Sequence, residues 1–494
     1  MLARFTITLL SAVLALVVVD SGCATTKEAV VEEVREAPRE PWRQTRPAAG
    51  TPAPLAFPNF QKAELKNGLT LLLVEDHTLP TVHASLVVRA GASLDGKEAG
   101  LADLTWDLLD EGAGSYTASS LANAFADLGA SIQTSAGREA GVVGVRVLKT
   151  RLEPALELLA LVASRPTFGQ PEFDRLKRQH QGALAEKEGS PETIAWQALV
   201  AEVYGADHAY GHPVDGTATS LDKVKLASVK RFWSDHAGPK NAALVLVGDL
   251  TLDDAKALAE KQLGKWRGGA SKSKPPVTPK PKAATKILVV DFPGAPQTII
   301  RLARPLMSAT DAEQPAAIVM NQVLGGMFSS RLNLKLREEK QWTYGAYSNV
   351  DARVGAGPFH LGADVQSDKT GEALAEIFAQ LDTMKTGGIT DEELALGRDS
   401  YTRTLPALFA LPELQAQAAT SLFGLGLPVD HYATLNTAVA AVTADQVKAV
   451  AQRAIVKEDF VVVLVGDKAA IEAGLAGKNL GEVVFVGKDG TPAK

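Results

Sequence analysis

A single cysteine among 494 residues excludes an intramolecular disulfide framework and any zinc cluster built on thiolates. Long basic runs are missing, and 51 Lys and Arg against 57 Asp and Glu leave a net charge of −6. Such a chain offers no counterion-releasing surface for a nucleic-acid backbone. Apolar runs are short: residues 5–19 are uncharged, but fifteen residues fall below the roughly 20 that a bilayer-crossing helix needs. A polytopic membrane protein is therefore excluded. What remains is an ordinary globular composition, 46% hydrophobic and 22% charged, in a chain long enough for more than one core.

Arg4, the apolar residues 5–19 and then Asp20-Ser21-Gly22-Cys23 read as a signal peptide over residues 1–22. Small residues directly before the sole cysteine resemble the bacterial lipobox, in which Cys23 is lipidated and becomes the new N-terminus. Asp20 stands where that motif usually has an aliphatic residue, so ordinary cleavage nearby is the alternative. The expected location is the bacterial cell envelope, with the chain lipid-anchored, facing the periplasm and held at the outer membrane. Residues 23–57 mix Glu, Arg, Ala and Pro without periodicity, as a flexible tether does.

From residue 58 the pattern changes. Lys66-Asn67-Gly68 marks a turn before an apolar run, and residues 82–88 form a second strand-like run. The Gly/Pro/Lys-rich stretch 268–283 has no room for a core and divides the chain into two nearly equal parts, 58–267 and 284–494. Those parts repeat each other. NAALVLVGDL reaches Gly248-Asp249 and EDFVVVLVGDK reaches Gly466-Asp467, an offset of 466 − 248 = 218; Val229-Lys230 and Val447-Lys448 show the same offset. Helical stretches and strands joined by hairpin-length turns, without regular βαβ alternation, predict an α+β fold with mixed, largely antiparallel sheets in two separately folding domains. Thr390-x-x-Glu393 reads as a capping box opening a long helix.

The segments KNGLTLLLVEDHTLPTVHASLVVRAGASLD, GLADLTWDLLDEG and HAYGHPVDGT in the first part, with LGGMFSSRLNLKLREEKQWTYGAYS and GLPVDHY in the second, carry a resemblance. Together they resemble the pitrilysin/insulinase-type zinc peptidases and their processing-peptidase-like members over roughly residues 58–494. The resemblance implies two α/β-roll domains facing a chamber that takes up extended peptides.

It also implies a site, and the residues must be read against it. An active member carries His-x-x-Glu-His on its first helix, two imidazoles four apart holding Zn²⁺ with the Glu as general base on bound water. Here the matching pentapeptide is Asp103-Leu104-Thr105-Trp106-Asp107. The third ligand would fall at Ala183-Leu184, where no acid stands. Hard carboxylates without imidazole suit zinc poorly, and Trp106 cannot take a proton from water. The acids Asp103, Asp107, Asp110 and Glu111 read as a solvated face, and His208 and His212 as parts of a structural loop broken by Gly211 and Pro213. The expectation is a chain with no metal of its own.

The second part keeps what the first lacks. Arg337 and Tyr344 in LREEKQWTYG match the pair that, in active assemblies of the resembled family, reaches toward the substrate carbonyl. A guanidinium and a phenol can both donate to charge building on that oxygen. The competing reading pairs Arg337 with Glu338 and packs Tyr344 at a strand start. A chain with that pair and no zinc implies a catalytically incomplete subunit, with zinc expected in a homologous partner chain and a peptide as substrate. The alternative is a pseudoenzyme scaffold or peptide-binding module with no role in catalysis.

Overall fold

The computed structural model describes residues 40, 42, 56–269 and 275–488; Cys23, the signal peptide and all of the tether but residues 40, 42, 56 and 57 lie outside them. Two runs without polar alternation, AALVLVG and VVVLVG, become strands buried along their whole length. A strand with no wet face must be covered on both sides, and this requirement organises the molecule.

The first sheet uses β1 (Gln61–Glu64), β2 (Thr70–Glu75) and β3 (Thr81–Val88). After a two-stranded ribbon, β4 (Gly112–Ala113) with β5 (Tyr116–Thr117), it adds β6 (Gln133–Ala136), β7 (Gly141–Leu148) and β8 (Ala242–Gly248). The second sheet uses β9 (Lys286–Asp291), β10 (Gln297–Met307), β11 (Thr343–Val350), β12 (Gly357–Gln366), β13 (Val461–Gly466) and β14 (Glu482–Val486). The strand orders are β1-β2-β8-β3-β7-β6 and, read the same way, β14-β9-β13-β10-β12-β11. In both sheets the late central strand, β8 or β13, runs parallel to one neighbour and antiparallel to the other. Glu75 faces Gly248 in one sheet and Asp291 faces Gly466 in the other. The repeat seen in the sequence is thus a repeat of register, and the sheets are mixed and largely antiparallel as expected.

One face of each sheet packs on helices of its own part. The other face is covered by a helix from the opposite part. Ile194, Ala195, Ala198 and Leu199 of the helix Pro191–Tyr204 pack on Leu288, Ile299, Val463 and Val465 of the second sheet. Reciprocally, Ala419, Leu422 and Phe423 of the helix Pro412–Leu425 pack on Leu72, Val87, Val245 and Val247 of the first. Arg89 fastens this crossing, donating to the Phe423 carbonyl at 2.8 and 2.9 Å with its guanidinium 4.1 Å above the Phe423 ring. Residues 56–269 and 275–488 accordingly belong to one compact unit. Each sheet takes its second apolar cover from the other part.

Thr390 and Glu393 form the predicted capping box, with Glu393 N–H donating to Thr390 Oγ1 and Thr390 N–H to the Glu393 carboxylate at 2.8 Å.

Candidate functional site

The helix Leu101–Asp107 starts at Gly100, whose φ of +92° is a conformation that glycine adopts without strain. The buried Asp95 carboxylate accepts from the N–H groups of Gly100 and Ala102, both at 2.8 Å, and so satisfies the helix start. Helical spacing then divides the motif. Leu101, Ala102, Leu104, Thr105 and Trp106 face the core, while Asp103 and Asp107, one turn apart, face the helix Gln170–Lys187.

Trp106 is fully buried. Its indole Nε1–H donates to the Ala90 carbonyl at 2.8 Å, and its ring meets Trp233 edge-on with centroids 5.4 Å apart. Strand β7 makes room for it: a Cβ at Gly141 would lie 2.0 Å from the indole. The position of a general base is therefore occupied by a core residue with its one polar group satisfied.

The acids do not form a solvated face, contrary to the reading from sequence, because the helix Gln170–Lys187 lies against them. His180 Nε2 is 2.8 Å from Asp107 Oδ2, and Nδ1 is 3.5 Å from Asp103 Oδ2. Glu111 pairs with Arg175, and Lys187 pairs with Asp215 at 2.6 Å. Burial, then the neighbouring Asp107 charge, pushes the Asp103 carboxyl up to about 6. Burial disfavours a charged His180, but the hydrogen bond to Asp107 and the charges of Asp103, Asp107 and Asp215 outweigh it and raise its pKa. His180 was not found from sequence, since it lies 73 residues from Asp107. The available signal was its place one turn before Ala183. Ala183 itself is exposed and Leu184 buried in the core. Two carboxylates, one imidazole and an indole do not fit a hydrolytic zinc centre.

His208 and His212 belong to a clasp between the two parts. His208 stacks on Tyr204 with centroids 5.1 Å apart, and its Nε2 lies 2.8 Å from the Val277 carbonyl. Fully buried Tyr210 donates to Glu139 and accepts from Gly355 N–H at 2.8 Å. Arg138 donates to the His212 carbonyl at 2.7 Å. The loop is structural, as its glycine and proline indicated.

In the second part, the helical turns Arg331–Asn333 and Leu334–Glu339 end at Gln341, whose φ of +58° reverses the chain into β11. Asn333 fixes the geometry of this bend: its Nδ2–H donates to the Phe328 carbonyl at 2.7 Å, and its Oδ1 accepts from Ala346 N–H at 3.2 Å. The pairing of β11 with β12 is interrupted between Thr343 and Ala346, and there Tyr344 projects with 91% of its surface exposed. Arg337 lies 4.5 Å above the ring of Phe328, itself 68% exposed, and 3.5 Å from Glu338. Phe328, which lies under Arg337, and Asn333, which fixes the bend, were not singled out from the sequence. Among the described residues, the ion-pair and ring contacts of Arg337 join it to Glu338 and Phe328, and none joins it to Asp103, Asp107 or His180.

Comparison with known proteins places this geometry. The description "Insulinase (Peptidase family M16)" matches residues 70–216, and "Peptidase M16 inactive domain" matches residues 223–401. A Helicobacter pylori protein called non-peptidase homolog YmxG is 26% identical over 370 residues, 73% of this chain and 83% of that protein. An uncharacterized zinc protease YmxG of Bacillus subtilis is 24% identical over 341 residues, 69% of this chain and 82% of that one. Among solved structures, a peptidase M16 inactive domain from Pseudomonas fluorescens superposes with a TM-score of 0.76 at 28% identity, covering 83% of this chain and 98% of that one. A chain of complex III2 from Candida albicans shares the fold, with a TM-score of 0.70 at 15% identity over 84% of this chain and 100% of its own length. With the two matches running through both repeats, the chain belongs to the insulinase-type (M16) peptidase family, with a first helix that lacks every residue of the zinc motif.

Proposed function

We propose that this chain is the catalytically incomplete subunit of a metallopeptidase complex, lending peptide binding and transition-state stabilisation to a homologous partner chain that carries the zinc. The observation that carries the reading is the state of Arg337 and Tyr344. A tyrosine 91% exposed on a broken strand edge contributes little to its own fold, and its hydroxyl is free to donate elsewhere. Arg337, steadied on Phe328, presents a planar guanidinium with several N–H donors. Both can donate to a carbonyl oxygen as it gains charge, which is useful only where another chain supplies the water-activating centre. In this chain Trp106 fills the place of the base.

The test is peptide hydrolysis by the chain reconstituted with a zinc-motif homologue. Arg337→Ala should leave the complex intact by size exclusion and lower turnover ~10²-fold or more, about 2.7 kcal/mol of barrier. Tyr344→Phe should act in the same direction. If both variants keep full activity in an intact complex, the pair is structural and the chain is a scaffold. We further propose attachment to the envelope through Cys23, for which Cys23→Ser should move the protein from the membrane to the soluble periplasmic fraction. Unchanged mass and partitioning would refute that part.

A further inference from the structure

The helices Leu101–Asp107 and Gln170–Lys187 converge on Asp103, Asp107 and His180, whose ligand atoms all lie within 4.8 Å of one another. We propose that these three side chains bind one divalent first-row cation of the harder kind, for which Mn²⁺ is the probe, and that the ion ties the two helices together without hydrolytic chemistry. This site is independent of the reading given to Arg337 and Tyr344.

The donor set has a defined chemistry. Two carboxylates and one neutral imidazole on one side of an ion leave the remaining positions to water, which suits a six-coordinate cation. The 2.8 Å between His180 Nε2 and Asp107 Oδ2 is close to the ~3 Å edge of an octahedron with bonds near 2.1 Å. Asp103 faces His180 Nδ1 at 3.5 Å, so binding at Nε2 requires its carboxylate to turn toward that nitrogen. Entry is open, since the side chains of Asp103, Asp107 and His180 are 21%, 37% and 14% exposed.

Local charge favours the ion. The nearby cations are engaged elsewhere, Lys187 with Asp215 and Arg175 with Glu111, so among the described ion pairs His180 is the only cation on Asp103 and Asp107. Asp110 adds further negative charge beside Asp107, while Lys187 and Asp215 act on Asp103 in opposite directions. A dication in place of the imidazole proton neutralises two facing carboxylates where a single positive charge leaves one over. Spacing along the chain suggests no metal here; folding adds the missing imidazole. Trp106 stays sealed in the core, so a bound ion has no base beside it.

The experiment is titration of the metal-stripped full chain with MnCl₂ by calorimetry, with the loss of the free-Mn²⁺ signal in electron paramagnetic resonance as an independent count. One Mn²⁺ per chain is expected. Asp107→Asn and His180→Gln should each weaken binding ~10-fold or more, since even outer-shell changes at metal sites have effects of that size. Both variants should also lose any rise in melting temperature that Mn²⁺ gives the parent chain. Absence of saturable binding, or equal affinity in parent and both variants, overturns the proposal. If His180→Gln does not fold, Asp107→Asn, at a more exposed side chain, decides alone.

Discussion

The two regions that would meet across a peptidase site have been treated in opposite ways by this fold. Around the helix Leu101–Asp107, every position of the zinc motif is absorbed: Trp106 into the core, Asp103 and Asp107 into contact with His180. Around the turn at Gln341, whose geometry Asn333 fixes, Tyr344 is left outside and Arg337 lies half-exposed beside Phe328. A side chain that stabilises its own fold is buried or paired, and one that acts on something else must remain accessible. The contrast separates a helix whose side chains are taken up by the fold's own contacts from a turn that leaves Tyr344 exposed.

The widest way to break this comparison is to break the frame that both regions share. Residues 58–267 expressed alone should show no cooperative unfolding by circular dichroism, because loss of the helix Pro412–Leu425 uncovers Leu72, Val87, Val245 and Val247. Co-expression with residues 284–494 should restore it. A cooperative transition of the single part would show that the exchanged helices are dispensable.

Next in size is Trp106→Glu. Removing a fully buried indole costs about 3–5 kcal/mol before the carboxylate left in its cavity is counted. The triple change Asp103→His, Trp106→Glu, Asp107→His should therefore yield a destabilised protein without peptidase activity, read from the denaturation midpoint and a peptide assay. Gly141→Ala, which drives a methyl into the same indole, should cost about 1–3 kcal/mol by the same midpoint.

A smaller effect belongs to the second region, where the Arg331 guanidinium bonds both carboxylate oxygens of Glu393 at 2.6 and 2.7 Å. The Arg331 hydrogen bond holds that carboxyl below the ordinary glutamate value, against the opposing effect of burial. A depressed folded-state pKa contributes stability at neutral pH that is lost as the pH falls through the carboxylate range. Arg331→Ala should cost about 1.5–3 kcal/mol at pH 7 and less in acid, seen as a flatter pH profile of the melting temperature.

The smallest effect sharpens the contrast most. Arg337→Ala and Tyr344→Phe should shift stability by no more than about 0.5 kcal/mol, since neither side chain is buried. A large loss of stability in either would move the second region into the structural class with the first.

The duplication, the mixed sheets and the absence of a zinc motif were legible from residues, because each is a pattern of local period or of identity at fixed spacing. Buried runs such as AALVLVG, the Thr390/Glu393 capping box and the substitutions at Asp103, Trp106 and Asp107 need no knowledge of the rest of the fold. What depends on distant partners was decided only in three dimensions. His180 meets Asp107 across 73 residues, Gly141 makes room for Trp106, and each sheet takes its second cover from the other part. Local periodicity says that a face is apolar or a side chain polar. It does not say what covers the face or pairs with the side chain, because that choice is made by packing among segments the sequence holds far apart.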